Sequence, residues 1–167
     1  MTMRTSHIAA LSALALFAGC AHGGSGAPSV AVVGQPAPAW TQPTTTGAKL
    51  SMDSLRGKPV YLNFFATWCP PCNEEAPDVN ALQKQYASQG LQTVGIDELE
   101  NQKQATAFVN KFHLVYPAVV DDGTLQGQYS INGLPVHVFI DRSGVVRKIV
   151  RGEMSKNDIA ASIRAIL

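Results

Sequence analysis

Two cysteines separated by two residues stand in Trp68-Cys69-Pro70-Pro71-Cys72. The apolar run Val60-Tyr61-Leu62-Asn63-Phe64-Phe65 comes just before them and a polar helical pattern just after. A buried strand thus delivers both thiols to the start of a helix. The first amides of a helix lack intrahelical partners, and the helix dipole adds partial positive charge there. A thiolate at that end is stabilised, so the nucleophile exists at neutral pH. Pro70 and Pro71 suit a first helical turn, where a missing N–H costs nothing. Sulfurs so placed can close a small disulfide ring and reopen it, which is dithiol–disulfide redox chemistry. The alternatives are half of a zinc site or an inert structural disulfide. Zinc normally needs a second Cys or His pair at ligand spacing, and the sequence holds no second C-x-x-C.

The chain around this stretch has 167 residues, 46% of them hydrophobic, enough for one domain with a sizeable core. A formal net charge of +1 gives no basis for nucleic-acid binding or electrostatic membrane association. Three cysteines are an odd number, which leaves Cys20 outside the pair. Arg4, the short apolar segment Ile8 to Phe17 and the small residues Ala18-Gly19 read as a secretory signal. The apolar stretch is short for a membrane span, which needs about 20 residues. Leu16-Phe17-Ala18-Gly19-Cys20 resembles a bacterial lipobox, in which the cysteine is lipidated and becomes the first mature residue. The expected organisation is a lipoprotein signal peptide over 1–19, a flexible Gly/Ser/Ala-rich tether over 20–33 and a folded domain over 34–167. His22 reads as a linker residue without a role.

Within the domain, Gly47 marks a turn between two short strands. Ser51 caps a helical turn from Met52 to Leu55 that Gly57 ends. Val60 to Phe65 is apolar almost throughout, as a strand covered on both faces should be. Asn73 to Gln89 reads as a helix stopped by Gly90, with Pro77 as a predicted kink. Then follow a strand from Leu91 to Asp97 and a helix from Gln102 to Phe112. That helix has the buried stripe Ala105, Phe108, Val109 and Phe112 and the cap His113. A short strand from Ala118 to Asp121 and a helical turn from Leu125 to Tyr129 come next. Val136 to Ile140 and Val145 to Arg151 form a hairpin through Asp141-Arg142-Ser143-Gly144. Ser155 opens a closing helix from Lys156 to Leu167. Strands alternating with helices, then a hairpin and a last helix, indicate an α/β domain with one mixed central sheet flanked by helices.

From about Gly34 to Leu167 the chain resembles the TlpA/ResA branch of the thioredoxin-like proteins. The residues that carry the likeness begin with Gly34-Gln35-Pro36-Ala37-Pro38, Leu55-Arg56-Gly57-Lys58-Pro59-Val60 and Asn63 through Cys72. They continue with Glu75-Ala76-Pro77, Val94-Gly95-Ile96-Asp97, Gly133-Leu134-Pro135 and Phe139-Ile140-Asp141-Arg142-Ser143-Gly144. The resemblance implies a thioredoxin-like fold with an N-terminal strand extension and an added strand–helix unit at about Gly95 to Val119. It implies a protein-disulfide oxidoreductase that needs no cofactor beyond its own cysteine pair. Cys69 would attack and Cys72 resolve. Glu75, three residues after Cys72 and so on its helix face, would exchange the proton that thiol chemistry requires. Pro135 would follow a cis peptide bond and leave Leu134 free to pair with an extended substrate, and Trp68 would be a solvent-facing lid beside Cys69.

The same resemblance implies a place in the bacterial cell envelope, on the periplasmic side and lipid-anchored to a membrane through Cys20. Partners would be disulfide-containing envelope proteins, as in cytochrome c biogenesis or similar assembly, with a membrane thiol transporter as electron donor. No nucleic acid and no metal are expected. Two positions depart from relatives. Asn63 stands where cytoplasmic thioredoxin has a buried, proton-accepting Asp, which leaves Glu75 or water to move the proton. His137 stands where Thr is common and reads as a partly exposed strand residue. Its sharper reading is a copper ligand, as in the similar Sco proteins, whose cysteines lie three residues apart. A thiol peroxidase is the other alternative, but peroxiredoxins have Thr three residues before the reactive cysteine, and Ala66 stands there.

Overall fold

A computed structural model describes residues 30–167. The leader, Cys20, His22 and most of the expected tether lie outside the described residues. The chain runs through β1 (Thr41–Pro43), β2 (Lys49–Ser51), a 3-10 turn (Met52–Leu55), β3 (Val60–Phe65), α1 (Pro70–Tyr86) and a second 3-10 turn (Ala87–Gln89). It continues through β4 (Gln92–Asp97), α2 (Gln102–Phe112), β5 (Ala118–Val120), α3 (Thr124–Tyr129), β6 (Val136–Ile140), β7 (Val146–Arg151) and α4 (Lys156–Arg164). β1 and β2 form an antiparallel ribbon, and the other five strands form one mixed sheet in the order β5-β4-β3-β6-β7. β3 runs parallel to β4 and antiparallel to β6. This is the thioredoxin-like α/β architecture, with the ribbon as N-terminal extension and β4–α2–β5 as the added unit.

The apolar run of β3 is explained by its place, because all six of its residues are buried at the centre of the sheet. Side chains alternate between the two faces of a strand. Val60, Leu62 and Phe64 join Val136, Val138 and Ile140 in a core that includes Trp40, Leu125 and Tyr129. Tyr61 and Phe139 point the other way and pack with Val79 and Leu82 of α1 and Ile159 and Ile163 of α4. Gly95 has a packing reason: a Cβ there would sit 2.9 Å from Cε1 of Phe65. A side chain at position 95 would therefore push on the strand that leads into the cysteines.

Helix boundaries follow from capping. α1 begins at Pro70, three residues earlier than its polar pattern suggests, because Cys69 is its N-cap and proline is suited to the first turn. It runs through Pro77 to Tyr86, and its last stretch tightens into the 3-10 turn that Gly90 closes at φ +88°. Asn101 caps α2 with a capping box to Gln104, and His113 ends it in the left-handed conformation. Of the expected α2 stripe, Ala105 and Phe108 are buried, while Val109 and Phe112 are half-buried. Asn80 of α1 bonds the carbonyl of His113 and the amide of Val115, tying α1 to the end of α2. α4 stops at Arg164, short of the chain end.

The N-terminal extension covers both sides of the sheet. Thr44 bridges Val119 and the Thr45 amide donates to the Ala118 carbonyl, on the outer side of β5. At the opposite side, Pro36 bridges Val145, and Gly34 and Gln35 exchange backbone bonds with Val146.

Candidate active site

Cys69 and Cys72 are joined as a disulfide with Cα atoms 5.3 Å apart. β3 ends at Phe65, a short turn follows, and Cys69 stands in extended conformation as the N-cap of α1. Its Sγ accepts the Cys72 amide at 3.3 Å, so the sulfur occupies the place of a capping oxygen. In the reduced state a thiolate there would receive both that N–H and the helix dipole. Asn73 holds the turn, donating its Nδ2 to the carbonyls of Thr67 at 3.0 Å and Cys69 at 2.8 Å. The Lys111 ammonium of α2 donates to the other end of the same amide at 2.8 Å. The two sulfur-bearing residues do not differ in access: Cys69 is 3% exposed and Cys72 4%. Their asymmetry lies in position on the helix, not in contact with solvent.

Next to Cys69 in the chain, Trp68 is 68% exposed. It lines a groove of about 220 Å³ with Leu99, Ile131, Gly133 and Leu134. The Leu134–Pro135 peptide is cis. Pro135 leads into β6, where its carbonyl accepts the Gly152 amide at 2.8 Å. Trp68 and Leu134 therefore meet at one groove, and Pro135 follows Leu134 at the entry to β6.

Glu75 is buried on α1. Its Oε1 accepts the Met154 amide at 2.5 Å, and its Oε2 lies 3.4 Å from His137 Nε2. Burial pushes its pKa up to about 7, against the opposing Met154 hydrogen bond and with further repulsion from Glu153 and Asp78. An acid in that range takes and returns protons near neutrality, the property that thiol exchange needs.

His137 corrects the sequence reading. It is fully buried, not partly exposed. Alternation on β6 turns it toward α1, and the helix covers it. Its Nδ1 is 2.8 Å from the Tyr61 hydroxyl. Burial holds its pKa down at about 4, with Lys148 repelling the imidazolium and the Gly152 backbone opposing both. Asn63, also buried, pairs with His137 across the β3–β6 ladder. Among the described residues no group of three His, Cys, Asp or Glu side chains is placed to hold a metal ion.

Sequence reasoning missed three participants. Tyr61 was legible only as strand core. The Met154 amide carries no side-chain signal at all. Glu100 accepts both the amide and the hydroxyl of Thr67 in the turn before Cys69. The acidic run Asp97-Glu98-Leu99-Glu100 was the available hint. Asp97 and Glu98 are buried, and burial raises both pKa values to about 8, helped by Glu100 at Asp97 and by Asp121 at Glu98.

Comparison with known proteins agrees with this geometry. The AhpC/TSA family profile matches residues 33–149. The thiol-disulfide oxidoreductase ResA of Bacillus cereus is 33% identical over 135 residues, covering 80% of this chain and 78% of that protein. A thioredoxin-family thiol:disulfide interchange protein from Chlorobium tepidum TLS superimposes with a TM-score of 0.73 at 34% identity, covering 78% of this chain and 94% of that one. A secreted Mycobacterium tuberculosis disulfide oxidoreductase, described as homologous to E. coli DsbE, gives a TM-score of 0.69 at 30% identity, covering 75% and 95%.

Proposed function

This chain belongs to the AhpC/TSA family as a ResA-like thiol–disulfide oxidoreductase, and from that premise we propose that it reduces protein disulfides outside the cytoplasm through Cys69 and Cys72. The observation that carries the proposal is the disulfide at the N-terminus of α1, with Cys69 Sγ on the Cys72 amide.

In the reduced protein the Cys69 thiolate attacks one sulfur of a substrate disulfide. The substrate S–S bond breaks, its other sulfur leaves as a thiolate and takes a proton, and a mixed disulfide forms. Cys72 then passes its proton to Glu75 and attacks Cys69 Sγ. The mixed disulfide breaks, the substrate leaves with two thiols, and Cys69–Cys72 is oxidised by two electrons. The substrate segment lies in the groove of Trp68 and Leu134, paired with the Leu134 backbone. Regeneration takes two electrons from a membrane thiol transporter, since an oxidising envelope supplies none.

Lipidation at Cys20 would hold the enzyme at the membrane with its domain on a tether, and cytochrome c maturation or a similar assembly is the fitting process. A secreted relative supports the extracytoplasmic placement. No helix among the described residues is long and apolar enough to cross a membrane, so anchoring would rest on the lipidated cysteine.

The test is trapping. Cys72→Ser in the intact envelope should accumulate mixed disulfides through Cys69, and Cys69→Ser should accumulate none. Trapping by the Cys69→Ser protein alone would reverse the two roles. Redox titration of the pair against glutathione sets the direction: a couple as oxidising as about −120 mV, the strongly oxidising end of this superfamily, would make the enzyme a disulfide donor instead.

A further inference from the structure

The turn that carries Cys69 is tied to α2 through both of its peptide ends. The N–H and hydroxyl of Thr67 donate to Glu100, just ahead of α2, and the Thr67 carbonyl accepts Asn73 Nδ2 at 3.0 Å. The Cys69 carbonyl accepts twice, from the Asn73 backbone N–H at 3.1 Å and from Asn73 Nδ2 at 2.8 Å. Asn73 Oδ1 accepts the Lys111 ammonium at 2.8 Å, from the last turn of α2. Chemistry fixes the orientation of this amide. An ammonium only donates and a carbonyl only accepts, so Oδ1 faces Lys111 and Nδ2 faces the turn. The ammonium also lies 4.8 Å from the centre of the Phe112 ring, a cation–π contact. Phe112 in turn packs against the buried cluster that holds Cys69 and Cys72.

The line from ammonium to amide to carbonyl has a direction. The charge on Nζ draws electron density toward Oδ1 and makes the Nδ2 hydrogens stronger donors. Those hydrogens offset the negative ends of the Thr67 and Cys69 carbonyls. Attack on a disulfide needs an anion at Cys69 Sγ, and every negative end in its turn opposes that anion. The Cys72 N–H and the helix dipole favour it directly. Lys111 adds a full positive charge behind one intervening amide. A lysine in the last turn of a helix also suits the helix dipole, but that role needs no Asn73 and leaves the sulfur untouched.

We propose that Lys111, acting through the Asn73 amide, is a positioning residue for the nucleophile: it fixes the turn from Thr67 to Cys69 and stabilises the Cys69 thiolate that attacks a substrate disulfide. No proton passes along the line. The Cys69 thiol gives its proton to solvent, and the ammonium and the amide keep theirs. The role rests on the redox reading given above and extends it to a residue of the added strand–helix unit. Other charges face the same turn. Glu100 holds Thr67, Asp97 stands beside Glu100, and Glu74 and Glu75 follow Asn73 on α1. Negative charge on any of them opposes the thiolate, and Lys111 is the cation bonded into the turn. Its side chain is exposed, so salt screens its charge.

The experiment uses the reduced full chain and follows alkylation by iodoacetamide from pH 4 to 10. Tandem mass spectrometry reads the rate at Cys69 itself, apart from Cys72 and Cys20. Lys111→Met keeps the length of the side chain and removes the charge. It should raise the Cys69 midpoint by about half a pH unit, a threefold gain in proton affinity. The equilibrium with glutathione should move by the same factor toward the disulfide, because the reduced state has lost stabilisation. Lys111→Arg should restore both. Salt raised from about 0.05 to 1 M should remove most of the difference between wild type and Lys111→Met. In an Asn73→Ala background, Lys111→Met should move the midpoint little further. A midpoint unmoved in Lys111→Met would overturn the proposal, and a lowered melting temperature with that unmoved midpoint would leave Lys111 a helix-end residue only. A full shift in the Asn73→Ala background would overturn it too, since the charge would then work without the amide. Substrate trapping by Cys72→Ser alongside an unmoved midpoint would retire Lys111 and leave the redox function intact.

Discussion

The Thr67 amide donates to Glu100 Oε2 at 2.5 Å, and the Thr67 hydroxyl donates to the other oxygen of the same carboxylate. Glu100 precedes Asn101, the N-cap of α2, and also receives the Gln104 amide nitrogen at 2.9 Å. One carboxylate therefore fastens the added strand–helix unit to the turn that carries Trp68 and Cys69. The insertion is a brace for the active-site loop.

Glu100→Ala should accordingly destabilise the oxidised protein by about 1–3 kcal/mol, the range for losing hydrogen bonds to a charged acceptor. Glu100→Gln keeps one acceptor oxygen and should cost less. Urea unfolding of both variants at equal m-value checks this. Equal stability of wild type and Glu100→Ala would mean that the loop holds itself.

Trp68 is exposed and at the rim of the groove, so its removal should leave the fold alone. Trp68→Ala should keep the melting temperature while slowing reduction of protein disulfides by roughly tenfold, the effect of losing one aromatic anchor worth about 1–2 kcal/mol. Small disulfides that do not fill the groove should react at the wild-type rate. Stopped-flow comparison of the two substrate classes separates docking from chemistry, and equal slowing of both would place Trp68 in the chemistry instead.

Much of this arrangement was legible before the fold was known. The run Val60 to Phe65 implied a covered strand, Pro70-Pro71 a helix start, and Gly47 and Gly90 their turns, because each rests on local backbone preferences. His137 was not legible. Alternation assigns a residue to a face of a sheet, but what covers that face depends on where α1 lies, which local sequence does not encode. The burial of Asp97 and Glu98 was hidden for the same reason, since acidic residues read as surface until packing encloses them. Glu75 came from the family resemblance, whereas its neighbours Met154 and His137 lie in distant parts of the chain and nothing local pointed to them.

Glu75, with its pKa raised to about 7, would be half-ionised in the physiological range if it takes the Cys72 proton as proposed. Below that midpoint the carboxyl is protonated and cannot take the Cys72 proton. Reduction should therefore speed up as pH rises through about 7, and Glu75→Gln should be slower and lack that limb. The pH–rate profile of resolution, measured in single turnover, decides. Superimposable profiles would assign the proton to water or to Glu74.

Asp97 and Glu98 predict a pH dependence of stability with a definite sign. Their pKa values rise to about 8 from ordinary values of 3.8 and 4.5. The folded state thus binds protons that the unfolded chain has already released, so their contribution is complete at acid pH and is lost as pH rises through about 8. His137 works oppositely, its contribution being full above 6.5 and lost as pH falls through about 4. Between pH 6.5 and 8.5 the buried acids should therefore set the slope, with melting temperature falling as pH rises. Asp97→Asn should flatten that fall in thermal melts, and an unchanged slope would mean that the carboxyl finds a partner on ionisation.

The segment that pairs Thr44 with Val119 of β5 and Pro36 with Val145, just before β7, lies along both flanks of the sheet. Enzymes that take hold of extended peptides run the risk of being taken hold of themselves, since any unpaired strand can recruit another chain. Here the N-terminal extension pairs with one stretch of each flank, and Arg147, Lys148 and Arg151 add exposed charge along the rest of β7. A second chain that approaches the sheet meets the extension along part of each flank and charged side chains along the rest of β7. Partial cover and charge at the sheet edges disfavour edge-to-edge pairing of this domain with another chain.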